Sequence, residues 1–158
     1  MIHDAFPEEL LIEKDESRGL VVRLHTLGWF RIDLVAVVAQ GENVTVVRRE
    51  AEVGPRGIIT PKIEERFTCS LCYLAKLDKQ LDHWGMSKVE SFIAEDVLDG
   101  VSVACRYRAP SGTFHHVHLF CWDACPDPVV RRLGDFLQKF ARSSLRVLKR
   151  QARLSRFW

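Results

Sequence analysis

Apolar and polar positions alternate weakly from Gly19 to Leu27, and a second, more apolar stretch runs from Trp29 to Ala39. Both stretches are rich in Val and Leu, the pattern of strands that bury at least one face. Gln40-Gly41-Glu42-Asn43 supplies turn residues, and Val44 to Arg49 forms a third strand. The first third of the chain therefore predicts an antiparallel meander, which Gly54-Pro55-Arg56-Gly57 ends. Thr60-Pro61 then offers a helix cap followed by proline at the first helical position, with Glu64 and Glu65 near the positive end of the helix dipole. Ile63, Phe67, Leu71, Leu74, Leu77, Leu81 and Trp84 recur three and four residues apart, which predicts a helix over about 61–84 closed by Gly85.

Ser87 to Leu98 reads as one helical turn or a connection, with Val89, Phe92 and Ile93 as its apolar positions. Asp99-Gly100 then turns into a strand, Val101 to Arg108, which the turn Ala109-Pro110-Ser111-Gly112 joins to another, Thr113 to Trp122. After the loop Asp123 to Pro126, Asp127 caps a helix that Pro128 begins. Its inner face comprises Val129, Leu133, Phe136, Leu137, Phe140, Ser144, Leu145 and Leu148, and the pattern continues to about Leu154. The predicted order is β-β-β-α-β-β-α. Two long helices bury their stripes most simply on one face of a mainly antiparallel five-stranded sheet, an α+β sandwich. No repeat, linker or low-complexity segment interrupts residues 1–158, so one domain is expected.

Composition narrows the class further. An apolar fraction of 47% and a charged fraction of 28% are those of an ordinary globular protein, which argues against disorder or a fibrous structure. The longest apolar run, Leu34 to Ala39, is far below the roughly 20 residues that cross a bilayer. Met1 to Glu9 has neither a basic start nor an apolar core before a small-residue cleavage site, so a cytoplasmic location is expected.

Charge divides along the chain. Residues 1–100 carry 12 Lys and Arg against 18 Asp and Glu, whereas residues 101–158 carry 11 against 3. The basic excess gathers in the last predicted helix at Arg131, Arg132, Lys139, Arg142, Arg146, Lys149, Arg150, Arg153 and Arg156. Such a run is either a solvated helix face or an electrostatic footprint for nucleic acid or an acidic protein surface. Aromatic residues are not interleaved with it, which gives single-strand stacking little support.

Cysteine and histidine carry the remaining candidate chemistry. Five cysteines without a secretion signal are expected as reduced thiols. Cys69 and Cys72 have the spacing of half a zinc site that His118, Cys121 and Cys125 could complete, but the pair is predicted to lie about two turns into a helix, where neither a structural zinc site nor an activated thiolate is expected. His116 and His118 share a strand face and His115 points the other way. Two such histidines can serve as acid and base, or simply hydrogen-bond on a polar sheet face. No phosphate-cradling glycine loop, HExxH helix or Gly-x-Ser-x-Gly elbow is present. No enzyme activity, metal or cofactor is predicted.

Leu98-Asp99-Gly100, an Arg-containing strand, a Ser-Gly turn, Phe114-His115-His116-Val117, Trp122, a following proline, and a helix of the form Pro128-Val-Val-Arg-Arg-Leu133-Gly-Asp-Phe136-Leu137 come in succession. This pattern resembles the C-terminal half of small bacterial immunity proteins, the cytoplasmic antidotes encoded beside polymorphic or contact-delivered toxins. The resemblance covers about 60 residues. It implies a compact α+β scaffold that binds and blocks a cognate protein toxin without catalysis, and the acidic first half then suits a basic toxin. A nucleic-acid-binding or regulatory module using the basic C-terminal helix is the alternative. For a partner surface, the predicted first helix offers Asp78 and Asp82 on its solvent side and Trp84 at its end. Glu90, Glu95, Asp96 and Asp99 follow, so an aromatic anchor rimmed by carboxylates is expected there, unless Trp84 is buried in the core.

Overall fold

The structure, a computed structural model, describes residues 17–26, 30–97 and 99–157. The N-terminal residues 1–9, the predicted strand ends at Leu27 and Trp29, and Leu98 lie outside the described residues.

Strands β1 (Gly19–Thr26), β2 (Arg31–Gln40) and β3 (Asn43–Val53) form the meander that the alternation predicts. β4 (Ile59–Ser70) follows where the first half of a helix was expected, and α1 begins only at Leu71 and ends at His83. Spacing by four residues is shared by a helix turn and by two strand repeats, so Ile63 and Phe67 satisfy both periods. Between them, Glu65 takes the inward position of the strand and masks the alternation, because buried Arg48 of β3 donates to it at 2.8 Å. At the other end of α1, Gly85 has φ of 78°, and Met86 N–H donates to Leu81 O while Gly85 N–H donates to Asp82 O. These two bonds satisfy the last helical carbonyls and require the left-handed glycine.

The segment read as one helical turn or a connection contributes β5 (Phe92–Ile93), which runs parallel to β7. β6 (Val101–Arg108) and β7 (Phe114–Phe120) form the predicted hairpin. Asp127 caps α2 (Pro128–Ala141) by accepting from Val129 N at 2.9 Å. The final helix is two rather than one: α2 ends at Ala141, the backbone is extended at Ser144 (ψ 161°), and Ser144 caps α3 (Leu145–Leu154) by accepting from Val147 N. A serine side chain competes well for free N–H groups, which favours a new start over continuation.

Among the described residues the result is an α+β fold in which one seven-stranded sheet has the order β4-β3-β2-β1-β6-β7-β5, with three α-helices. A mainly antiparallel sheet of five strands with two long helices was expected; β4, β5 and the break at Ser144 account for the difference. All three helices contribute to one cluster, in which Leu74 and Leu77 of α1, Leu133 and Leu137 of α2, and Leu148 of α3 meet the inward side chains of the strands. On the opposite face Val21, Leu34, Ala36, Val38 and Val47 form a second buried cluster, so β2 is covered on both sides, in keeping with its nearly continuous apolar run. Among the described residues no helix is long and apolar enough to cross a membrane.

Candidate partner-binding groove

β4 is the terminal strand of the sheet, and among the described residues it pairs only with β3. In an antiparallel edge strand, every second residue turns its N–H and C=O away from the sheet. α3 lies over this strand on the helical side, anchored by Leu148 and Ala152 and by a 3.0 Å hydrogen bond that Tyr73 of α1 donates to Gln151. Edge strand and helix enclose a groove of about 670 Å³.

Its strand wall is formed by Phe67, Thr68, Cys69 and Ser70, and α3 supplies Leu145 and Ala152 as the apolar part of the other wall. Four cations line it as well: Arg146, Lys149, Arg153 and, just beyond α3, Arg156. All four are exposed, and none forms an ion pair among the described residues. Lys149 Nζ sits 5.9 Å from the centre of the Phe67 ring. Glu65, the one carboxylate among the described residues that line the groove, is already held by Arg48. Burial pushes the Cys69 thiol up to about 11, against a smaller opposing pull from Arg156, so it stays protonated at neutral pH. The groove therefore offers positive charge and apolar contact, and no nucleophile at Cys69.

The acidic first half of the chain does not produce a matching acidic surface, because many of its carboxylates are used within the fold. Asp33 pairs with Arg31, Glu50 with Arg31 and Arg48, Glu64 with Arg49 and Arg66, and Asp78 with Arg18. Asp78 was expected on the solvent side of a helix; its side chain is only 11% exposed and accepts from the Tyr107 hydroxyl at 2.6 Å. Neighbouring β6 faces this turn of α1, and a carboxylate there is desolvated and bonded. Trp84, the expected anchor, is half-buried and stacks on Phe136 of α2 with ring centres 6.0 Å apart, with His83 edge-on to it. Asp82, Glu90, Glu95 and Asp96 are exposed, the last with φ of 61°.

The cysteines also sit differently from expectation. Cys69 is the last residue but one of β4 and Cys72 lies exposed in the first turn of α1, so the pair straddles a strand-to-helix junction and is not inside a helix. Among the described residues no three or more His, Cys, Asp or Glu side chains are grouped to hold a metal ion.

A second polar surface lies on the sheet face turned away from the helices. Ser102 of β6 is 2.6 Å from His118 Nε2 of β7 and stands opposite His25 of β1. Arg23 and Arg106 belong to the same face, and burial, with a smaller contribution from the like charge of Arg106, lowers the Arg23 pKa. Reading along β7 alone finds His116 and His118 but cannot find these cross-strand neighbours. His115 points to the other face and stacks on Tyr107.

Compared with known proteins, the chain matches no protein-family model, no curated protein and no solved structure.

Proposed function

We propose that this chain is a protein-binding domain of the immunity type, which neutralises a cognate bacterial toxin by occupying one of its surfaces. The single observation that carries the reading is that β4, among the described residues, is an edge strand without a second neighbour and lies beside a cationic, partly apolar groove. An open strand edge is a template for another chain, and a groove with a few apolar positions inside a charged rim is the composition of a protein-docking surface. The resemblance of the C-terminal part of the chain to immunity proteins supplies the biological context; it rests on a pattern of turns and apolar positions that runs through the hairpin β6-β7 and α2.

Affinity in such a complex comes from a few desolvated contacts, while exposed charge governs the rate of encounter. The test is genetic. Expression of the neighbouring open reading frame alone should arrest growth, and co-expression of this chain should restore it. Normal growth with the neighbour alone would sink the reading.

The nucleic-acid alternative is favoured by one feature, the exposed cations of α3, and salt separates the two. Phosphate contacts lose affinity steeply between low and physiological salt. Absence of binding to a generic duplex and a generic RNA at low salt would remove this alternative.

A further inference from the structure

We propose that the groove between β4 and α3 receives an extended acidic segment of the partner protein, which joins the sheet as an eighth strand beside Glu64–Ser70. The proposal rests on the reading of the chain as a protein-binding domain and names the chemistry of its partner.

The strand itself selects the place. Pro61 lacks an N–H, and the register between β3 and β4 shifts at Glu50/Ala51, so the beginning of β4 is a poor template. From Glu64 to Ser70 the pairing with β3 continues without a shift. This is also the part of β4 that lines the groove.

Charge selects the occupant. Four cations line the groove and its one carboxylate is occupied by Arg48, so an entering segment meets uncompensated positive charge. A strand added here turns alternate side chains towards α3. Three such side chains span roughly 13 Å, and the ten steps along the chain from Arg146 to Arg156 cover about 15 Å at helical rise, so three carboxylates at alternate positions match the extent of the cations. The intervening side chains would face the exposed side of β4, where Lys62, Glu64, Arg66 and Thr68 make a mixed polar surface.

Two features favour a peptide over a single-stranded nucleic acid. The outward N–H and C=O groups of an edge strand are matched by another strand and not by a sugar-phosphate chain. Phe67, the aromatic ring of the groove, has Lys149 over its face, which removes the platform on which a base would stack.

The experiment uses the full chain and a fluorescein-labelled, end-blocked peptide of five Glu-Thr repeats. Five Lys-Thr repeats and a 12-nucleotide single strand serve as comparators, all at low ionic strength. The acidic peptide should bind and the basic one should not. Arg146→Glu combined with Arg153→Glu should weaken binding at least tenfold. Independently, in the unmodified protein, saturating acidic peptide should slow amide hydrogen exchange at Glu64–Ser70. This second measurement stands even if the double variant folds poorly.

Absence of acidic-peptide binding, binding without protection of β4, or tighter binding of the single strand would each overturn the proposal. Full rescue of growth by the double variant would reject the groove as the toxin site while leaving the immunity reading intact. A harmless neighbouring gene would reject that reading while leaving the peptide result intact.

Discussion

Tyr107 of β6 donates a 2.6 Å hydrogen bond to Asp78 of α1, and Arg18 pairs with the other carboxylate oxygen. This carboxylate therefore ties α1 to β6 and to the residue that leads into β1. Asp78→Lys would place an ammonium beside Arg18 and leave the phenol without its acceptor. A loss of roughly 2–3 kcal/mol is expected, whereas exposed Asp82→Lys should stay within about 0.5 kcal/mol. Urea midpoints of the two variants check this; equal midpoints would contradict it.

Gly134 lies in α2 directly against the indole of Trp122, so close that an added Cβ would enter the ring's van der Waals envelope. Trp122 is buried and donates from Nε1 to Asp135 at 2.9 Å, so the ring has little freedom to move. Alanine usually strengthens a helix relative to glycine by about 1 kcal/mol. Here overpacking and the disturbed hydrogen bond should outweigh that gain and leave a net loss of roughly 1–3 kcal/mol. Thermal melting of Gly134→Ala decides the sign.

His25 and His118 both titrate below the ordinary histidine range, chiefly through burial and secondarily through Arg23. The fold therefore binds their protons less well than the unfolded chain, whose histidines titrate near pH 6.5 (about). Their contribution to stability is present above that pH and is lost as pH falls through it. Denaturant midpoints should decline from pH 7.5 to 5.5, and replacing both residues with Gln should flatten the decline. An unchanged slope in the double variant would refute the assignment.

Thiol reactivity should be ordered by exposure. Cys72 is exposed, Cys69 and Cys121 are intermediate, and Cys105 and Cys125 are buried. Burial also raises the Cys105 pKa, which further suppresses its thiolate. Under native conditions a brief treatment with iodoacetamide should label Cys72 first and spare Cys105. Peptide mass mapping reads the outcome, and early labelling of Cys105 would show that the core opens readily.

The meander, the hairpin, the glycine stop of α1 and the Asp127 cap were legible because each depends on local chemistry: alternation, turn residues and capping side chains. β4 was not. Ile63 and Phe67 fit two periods, and the charge at Glu65 is tolerated inside only because Arg48 arrives from another strand. The groove was hidden for the same reason. Its cations were visible as a basic run, but the strand they face and the helix break at Ser144 were not, so Arg146 to Arg156 could not be assigned to one wall. Asp78 shows the converse error: helical position alone marks it as exposed, and a tyrosine 29 residues away buries it.

Arg48 gives the groove a mechanical property. Its guanidinium donates to Glu65 on β4, to Glu50 on its own strand and, through Nε at 3.0 Å, to the Ser143 carbonyl in the turn between α2 and α3. One side chain thus braces both walls at their common root, like the pivot of a pair of tongs. Substituting it would leave the Arg146, Lys149 and Arg153 side chains chemically unchanged while freeing the angle at which they meet the strand, so the spacing of charge across the groove is encoded at a residue that the groove itself does not expose.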